Sequence, residues 1–246
     1  MLSVREYIDL SPFPLTEGDV KSLGQTDEEY IPHTWQEIKG VIAEGDMSVL
    51  NRAPSDLRNY ILWVRETKNK NDSVIKFLLR ERLLWHPDDK GKGFNDTQTS
   101  ASLSFECQNE TPFAHSADYK ILRNDWPYGL ERNIVHLVVW LKTRILVEED
   151  GQGGPTEESR KLIEDFVHRT FTQKIMERHQ QVNGNYSNNI MEEKVMWFKN
   201  KKKWQTVASI EHIHVILRDV DEDLVIGWTG QTSKEITART YVWNGQ

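Results

Sequence analysis

Between Trp85 and Tyr119 the hydrophobic period of the chain changes, and this change constrains the fold more than any other feature. Up to Trp85, apolar residues recur at helical spacing. In "HTWQEIKGVIAEGD", Thr34 and Glu37 form the pair of a capping box, and Trp35, Ile38, Val41 and Ile42 follow on one side. Ser55 or Asp56 can cap a second helix with a Leu57, Tyr60, Ile61 and Val64 stripe. "DSVIKFLLRERLLW" predicts a third, with Val74, Phe77, Leu78 and Leu84 inward. Past Tyr119 the runs become strand-like: "DYKILRND" and "NIVHLVVWLKTRILV" flank the turn "DWPYGLE". Thr156 caps a long helix with Leu162, Ile163, Phe166, Phe171 and Ile175 on one side. "EKVMWFKN" and "TVASIEHIHVILRD" read as two more strands, and the end as a hairpin around "TGQ". Helices followed by an antiparallel sheet crossed by one long helix make an α+β fold. Four regions are expected: an extended arm at 1–33, a helical region at 34–85, a loop or insertion at 86–115 with a short strand at "SLSFEC", and an α+β domain at 116–246.

The 246 residues include nine tryptophans, enough for a real core or for a core with an aromatic-lined pocket. A net charge of -7 gives no general attraction to nucleic acid or to an anionic membrane. "KNKKKW", at 199–204, is read as a solvated turn between strands for the same reason. Cys107 is the only cysteine, which excludes an internal disulfide and a cysteine-rich zinc site. The N-terminus lacks a signal-peptide layout and no window has the apolar length of a membrane span, so an intracellular location is expected.

Chemistry concentrates in "SIEHIHVILRD". Residues two apart on a strand share a face, so His212 and His214 point one way and Glu211 the other. Three readings are open. The pair can be core histidines bonded to backbone carbonyls. It can hold a metal, with His136 or Asp125 as a third ligand, although no carboxylate stands at a ligand spacing from His214. It can also act on phosphate, because a neutral imidazole attacks phosphorus when its other nitrogen is held. Asn200 and Ser209 flank the strand pair and add neutral hydrogen-bonding groups. Asp125, in "NDWPYG", is read first as part of a structural turn.

"DYKILRNDWPYGLERNIVHLVVWLK" with the later "WFKN" and "TVASIEHIHVIL" resembles the histidine-triad (HIT) pattern of strand, acidic-proline turn, strand, crossing helix and alternating histidines. Aligned on Ser209-Ile210-Glu211-His212, the nucleophile of that family falls on His214 and its third histidine on Ile216. A register shifted by two residues makes His212 the nucleophile and His214 the third histidine, but loses the first histidine and the serine match. The first register is preferred. The resemblance then implies a nucleotide or nucleotide-sugar phosphate hydrolase or transferase. His214 would attack, His212 and Ser209 would orient it or bind phosphate, Asn200 would bind an oxygen or the sugar, and His136 would line the nucleoside side. Ile216 favours the alternative of a non-catalytic ligand-binding or regulatory protein on the same fold.

A wider resemblance runs through "TWQEIKGVIAEGDMSVLNRAPSDLRNYILWV", "IKFLLRERLLW", "NDWPYG" and "VHLVVW". Over most of its length the chain is similar to the fungal N-acetylglucosamine-induced protein family, a domain of unknown function. That likeness implies a cytoplasmic protein with the nucleus as a second location. The histidine-triad resemblance implies a small phosphorylated ligand as partner; the charge and the lack of an apolar span predict no nucleic-acid or membrane partner, and no cofactor is expected.

Overall fold

Four strands form one antiparallel sheet in the order β1-β2-β4-β3, where β1 is Tyr119–Arg123, β2 Ile134–Leu141, β3 Val195–Phe198 and β4 Glu211–Arg218. The computed structural model describes residues 2–71, 73–88, 103–149, 153–183, 194–200 and 207–233. Residues paired across strands share a face, so the register sorts the side chains. Leu137 pairs with Val215 and Val139 with Ile213 on one face; His136 pairs with Ile216, Val138 with His214 and Trp140 with His212 on the other. Both faces are covered, which is why β2 and β4 read as continuous apolar runs rather than as alternation.

The first face is closed by the long helix. Its segments α6 (Glu157–Val167), a π turn (His168–Thr172) and α7 (Gln173–Asn183) follow without a break, and Thr156 caps the start by accepting from the Ser159 amide. Ile163, Phe166, Phe171 and Ile175 pack against Leu137, Val139, Ile213 and Val215. Phe166 and Phe171 are five residues apart, which on an ideal α-helix would place them about 140° from each other. The wider π turn between them returns Phe171 to the sheet side.

The second face carries the histidines, and the N-terminal helices cover it. Helix α3 (Trp35–Glu44) sets Trp35 and Ile38 on Ile134, Phe198 and Ile216. Helix α4 (Pro54–Asn71) brings Tyr60 and Trp63 against Trp126. The four residues of α5 (Val74–Phe77) run into a π turn at Leu78–Leu83, whose leucines pack with Phe105 on Leu122 and Ile210. The result is three layers, with the sheet between the long helix and the N-terminal helices.

Several expectations are corrected. Residues 1–33 are not an extended arm: they hold α1 (Val4–Leu10) and α2 (Glu17–Leu23), each opened by a capping box, Ser3 with Glu6 and Thr16 with Asp19. Tyr7 and Leu23 anchor them on Leu57 and Ile61 of α4. Leu84 does not point inward; it ends the π turn in the left-handed region at φ 58° and is 66% exposed. The described part of "SLSFEC", residues 103–107, forms no strand; Phe105 is a plug in the leucine cluster, and the Leu103 amide donates to the Ser209 carbonyl. The end of the described chain is not a hairpin at "TGQ" but helix α8 (Glu222–Thr229), stopped by Gly230 at φ 65°. Its acidic first turn and terminal glycine were the available signals. Most of "KNKKKW" lies outside the described residues, in which no helix is long and apolar enough to cross a membrane.

Candidate functional site

A cavity of about 270 Å³ lies between the histidine face of the sheet and the helical layer. Its floor is Leu122, Val138, Trp140, His212 and His214, and Asn200 stands at the end of β3 beside them. The roof comes from the N-terminal half: Phe13, Arg52, Tyr60, Trp63 and Phe77. The turn between β1 and β2 closes one side with Asn124, Trp126 and Tyr128.

The two histidines of β4 have different surroundings. His212 Nδ1 lies 2.9 Å from the Ile210 carbonyl. A carbonyl only accepts, so Nδ1 carries the proton and donates, leaving Nε2 with a bare lone pair. Among the described residues Nε2 has no hydrogen-bond partner, and the ring, 4.6 Å from that of Trp140, lines the cavity. His214 is committed on both sides. The Asn200 Nδ2 donates to its Nε2 at 3.2 Å, which leaves Nδ1 to donate to His136 Nε2 at 2.9 Å. Its ring stacks on Phe198 at 4.7 Å. His136 sits behind it, stacked on Tyr128 at 5.3 Å, with Asn124 Nδ2 3.3 Å from its Nε2. Asn124 is oriented in turn by accepting from the Trp126 amide at 3.0 Å.

Burial decides the charge of this cluster. Desolvation pushes His212 down to about 4 from 6.5, with the Lys199 charge adding to it and the Ile210 hydrogen bond opposing it. Desolvation, then the Arg52 charge, takes His136 to about 3. His214 is held well below the usual range by desolvation first and by its two histidine neighbours next. All three rings are therefore neutral near pH 7.

Residues 34–218 match the model of a family described as a protein of unknown function, DUF3605. The chain belongs to the DUF3605 family. N-acetylglucosamine-induced protein 1 of Candida albicans is 27% identical over 205 residues, 81% of this chain and 75% of the relative. An uncharacterised protein of Saccharomyces cerevisiae is 24% identical over 184 residues, 74% of this chain and 77% of the relative. A solved structure titled "Crystal Structure of HTC1" superposes with a TM-score of 0.51 at 21% identity, covering 85% of this chain and 93% of that one. At that identity the likeness concerns the fold alone.

Most of the cavity belongs to the DUF3605 match, from Met47 to His214; Phe13, Pro14 and Thr16 on the α1–α2 connection and Asp19 of α2 precede it. Of the residues singled out in the sequence, His212, His214, Asn200 and Asp125 line the cavity. His136 reaches the site through its bond to His214 and also borders a second, more open depression of about 610 Å³ beyond Tyr128. Ser209 is not on the wall: its hydroxyl is buried and bonds to no described residue. Asp125 clamps Arg82 through contacts of 2.8 and 2.6 Å. Ile216 is fully buried under α3, away from the cavity. Among the described residues, no three histidine, cysteine or acidic side chains are grouped to hold a metal ion. Nothing in the sequence tied the roof residues Arg52, Tyr60, Trp63 and Phe13 to the histidines, because they lie well over one hundred positions before β4; Tyr60 was legible only as part of a helical stripe.

Proposed function

We propose that this cavity binds a small phosphorylated molecule, a nucleotide or nucleotide-sugar, in a HIT-like arrangement, and that His212 Nε2 is the attacking atom. One observation carries the reading: a neutral imidazole with Nδ1 fixed by the Ile210 carbonyl turns an unpartnered Nε2 lone pair toward an aromatic-lined cavity. This is what nucleophilic attack on phosphorus needs, since protonation would remove the lone pair and rotation would misdirect it. The proposal moves the nucleophile from His214 to His212, because both nitrogens of His214 are occupied. In the shifted register Ile216 no longer stands where a polar group is wanted.

In the reaction, an Nε2–P bond forms as the bond from phosphorus to the leaving oxygen or nitrogen breaks, and the leaving group takes a proton from water. Water then cleaves the phosphohistidine and restores the lone pair. His214, held by Asn200 and His136, fixes the neighbouring wall and presents the Asn200 amide to the phosphoryl oxygens.

Turnover of a nucleoside phosphoramidate tests this. His212→Asn should lower turnover at least about a thousandfold while nucleotide affinity persists, the signature of a group acting in the bond-making step. Acid-labile, base-stable phosphate on the wild type should disappear in the same variant. Wild-type turnover in His212→Asn would remove the assignment. Binding without turnover in the wild type favours the second reading, a ligand-binding or regulatory protein, which the absence of a free acid on His214 supports.

A further inference from the structure

Three arginines border the cavity, and they are not equivalent. Arg82 is paired with the Asp125 carboxylate at 2.6 Å, and Arg123 turns its guanidinium to Glu222 at 2.6 Å and to the Gln231 carbonyl. Arg52 has no such partner. Its Nε donates to the Trp126 carbonyl at 3.1 Å, and its guanidinium carbon lies 4.2 Å from the centre of the Tyr60 ring and 5.9 Å from that of Tyr128. Among the described residues, no carboxylate comes within 4.0 Å of it and neither terminal nitrogen has an acceptor. Asp19, also on the wall, uses Oδ2 to cap α2 by accepting from the Thr16 amide and hydroxyl.

A guanidinium held by its Nε and by two aromatic faces, with the outer edge of its fork unmatched, is preorganised for an oxyanion. The other charges of the site do not compete for that role: the histidines are neutral, and Lys199 is bound to Glu211. Arg52 also acts electrically on the catalytic face, since its charge helps to depress His136 and His214.

We infer that Arg52, supplied by the N-terminal helical layer, is the anion-binding residue of the cavity, its outer guanidinium edge taking the phosphoryl oxygens of the ligand. This rests on the phosphate reading above. It assigns the helical layer a direct part in the site: the sheet supplies the nucleophile and the roof supplies the positive charge.

The test compares AMP, adenosine and inorganic phosphate by calorimetry on the wild type, Arg52→Gln and Arg52→Lys, with thermal unfolding recorded for each. Gln keeps a donor for the Trp126 carbonyl and removes the charge. AMP affinity should fall about tenfold to a hundredfold in Arg52→Gln, as for a lost charge-assisted hydrogen bond. Adenosine affinity should stay the same, and Arg52→Lys should lie between. A purely structural role for Arg52 would weaken adenosine and AMP alike. Equal AMP affinity in wild type and Arg52→Gln overturns the assignment and leaves the phosphate function standing. Wild-type binding of inorganic phosphate, lost in Arg52→Gln, without nucleotide binding keeps Arg52 and removes the nucleotide. Binding of none of the three by the wild type overturns both.

Discussion

His212 and His214 are two residues apart, share a strand and a face, and still differ in what their nitrogens can do. The difference is one carbonyl. His212 folds back onto Ile210, two residues earlier in its own chain, whereas His214 meets His136 from β2 and Asn200 from the end of β3. The spacing alone placed both rings on one wall. It could not divide their roles, because that depends on cross-strand neighbours. A comparison of variants separates them. His214→Asn breaks a buried network and should cost about 1–3 kcal/mol of stability, visible as a lower urea midpoint, whereas His212→Asn loses one backbone contact and should cost less. Equal destabilisation by the two would mean that the partners of His214 are not bonded as described. Ile216 makes a second test at this scale. It is packed beneath Trp35 and Ile38, so Ile216→His puts an unpartnered imidazole into an apolar cluster. Chemical denaturation should show a loss of about 2–4 kcal/mol with no gain in phosphoramidate turnover. A gain would restore the register in which the third histidine belongs at 216.

At the scale of elements, the site depends on how β3 and β4 are held together where the described strands end and begin. Lys199 and Glu211 form an ion pair at 2.6 Å with side chains only 7% and 9% exposed, and each is the sequence neighbour of a site residue, Asn200 or His212. Removing one partner leaves a buried charge unmatched. Glu211→Gln should therefore destabilise by about 3–5 kcal/mol, and Lys199→Met with Glu211→Leu together by much less. A double-mutant cycle from urea melts measures the coupling, and additive losses would show the pair to be energetically idle. The long helix was legible from its apolar positions at helical spacing, and β2 and β4 from continuous apolar runs bounded by turn residues. The π turn that re-aims Phe171 was not, since no residue type encodes it. Helices α1 and α2 were missed for another reason: seven residues give too few turns for a stripe, and only the boxes at Ser3 and Thr16 announce them. Thr16→Ala should lower stability by about 1 kcal/mol. Because α2 packs against α4, which bears the roof residues Tyr60 and Trp63, hydrogen exchange should rise in both helices rather than in α2 alone.

At the scale of the whole molecule, burying three neutral histidines between two layers ties folding to pH. The α+β class was readable from the order of periodic segments, but the sandwiching of the histidine face was not, because nothing in a helical stripe says which sheet face it will cover. That covering sets the titration. In the unfolded chain each ring titrates near the ordinary value of about 6.5. In the fold, desolvation lowers His212 to about 4 and His136 to about 3, and lowers His214 strongly. Below about pH 6.5 the unfolded state thus binds protons that the folded state refuses. The stabilisation is complete above the unfolded value and is lost as pH falls toward the folded ones, at up to about 1.4 kcal/mol per pH unit for each ring. Urea unfolding between pH 7.5 and 5 should show a steep fall in stability. His136→Gln, whose carbonyl can still accept from His214, should reduce the slope by about one proton. Turnover sharpens the test. A nucleophile that is already neutral gives no activity step near pH 6.5, so the acid limb of kcat should coincide with the unfolding transition of each variant and move with it. An acid limb near 6.5 in protein that stays folded would mean that His212 titrates freely, in contact with water rather than enclosed by the helical layer.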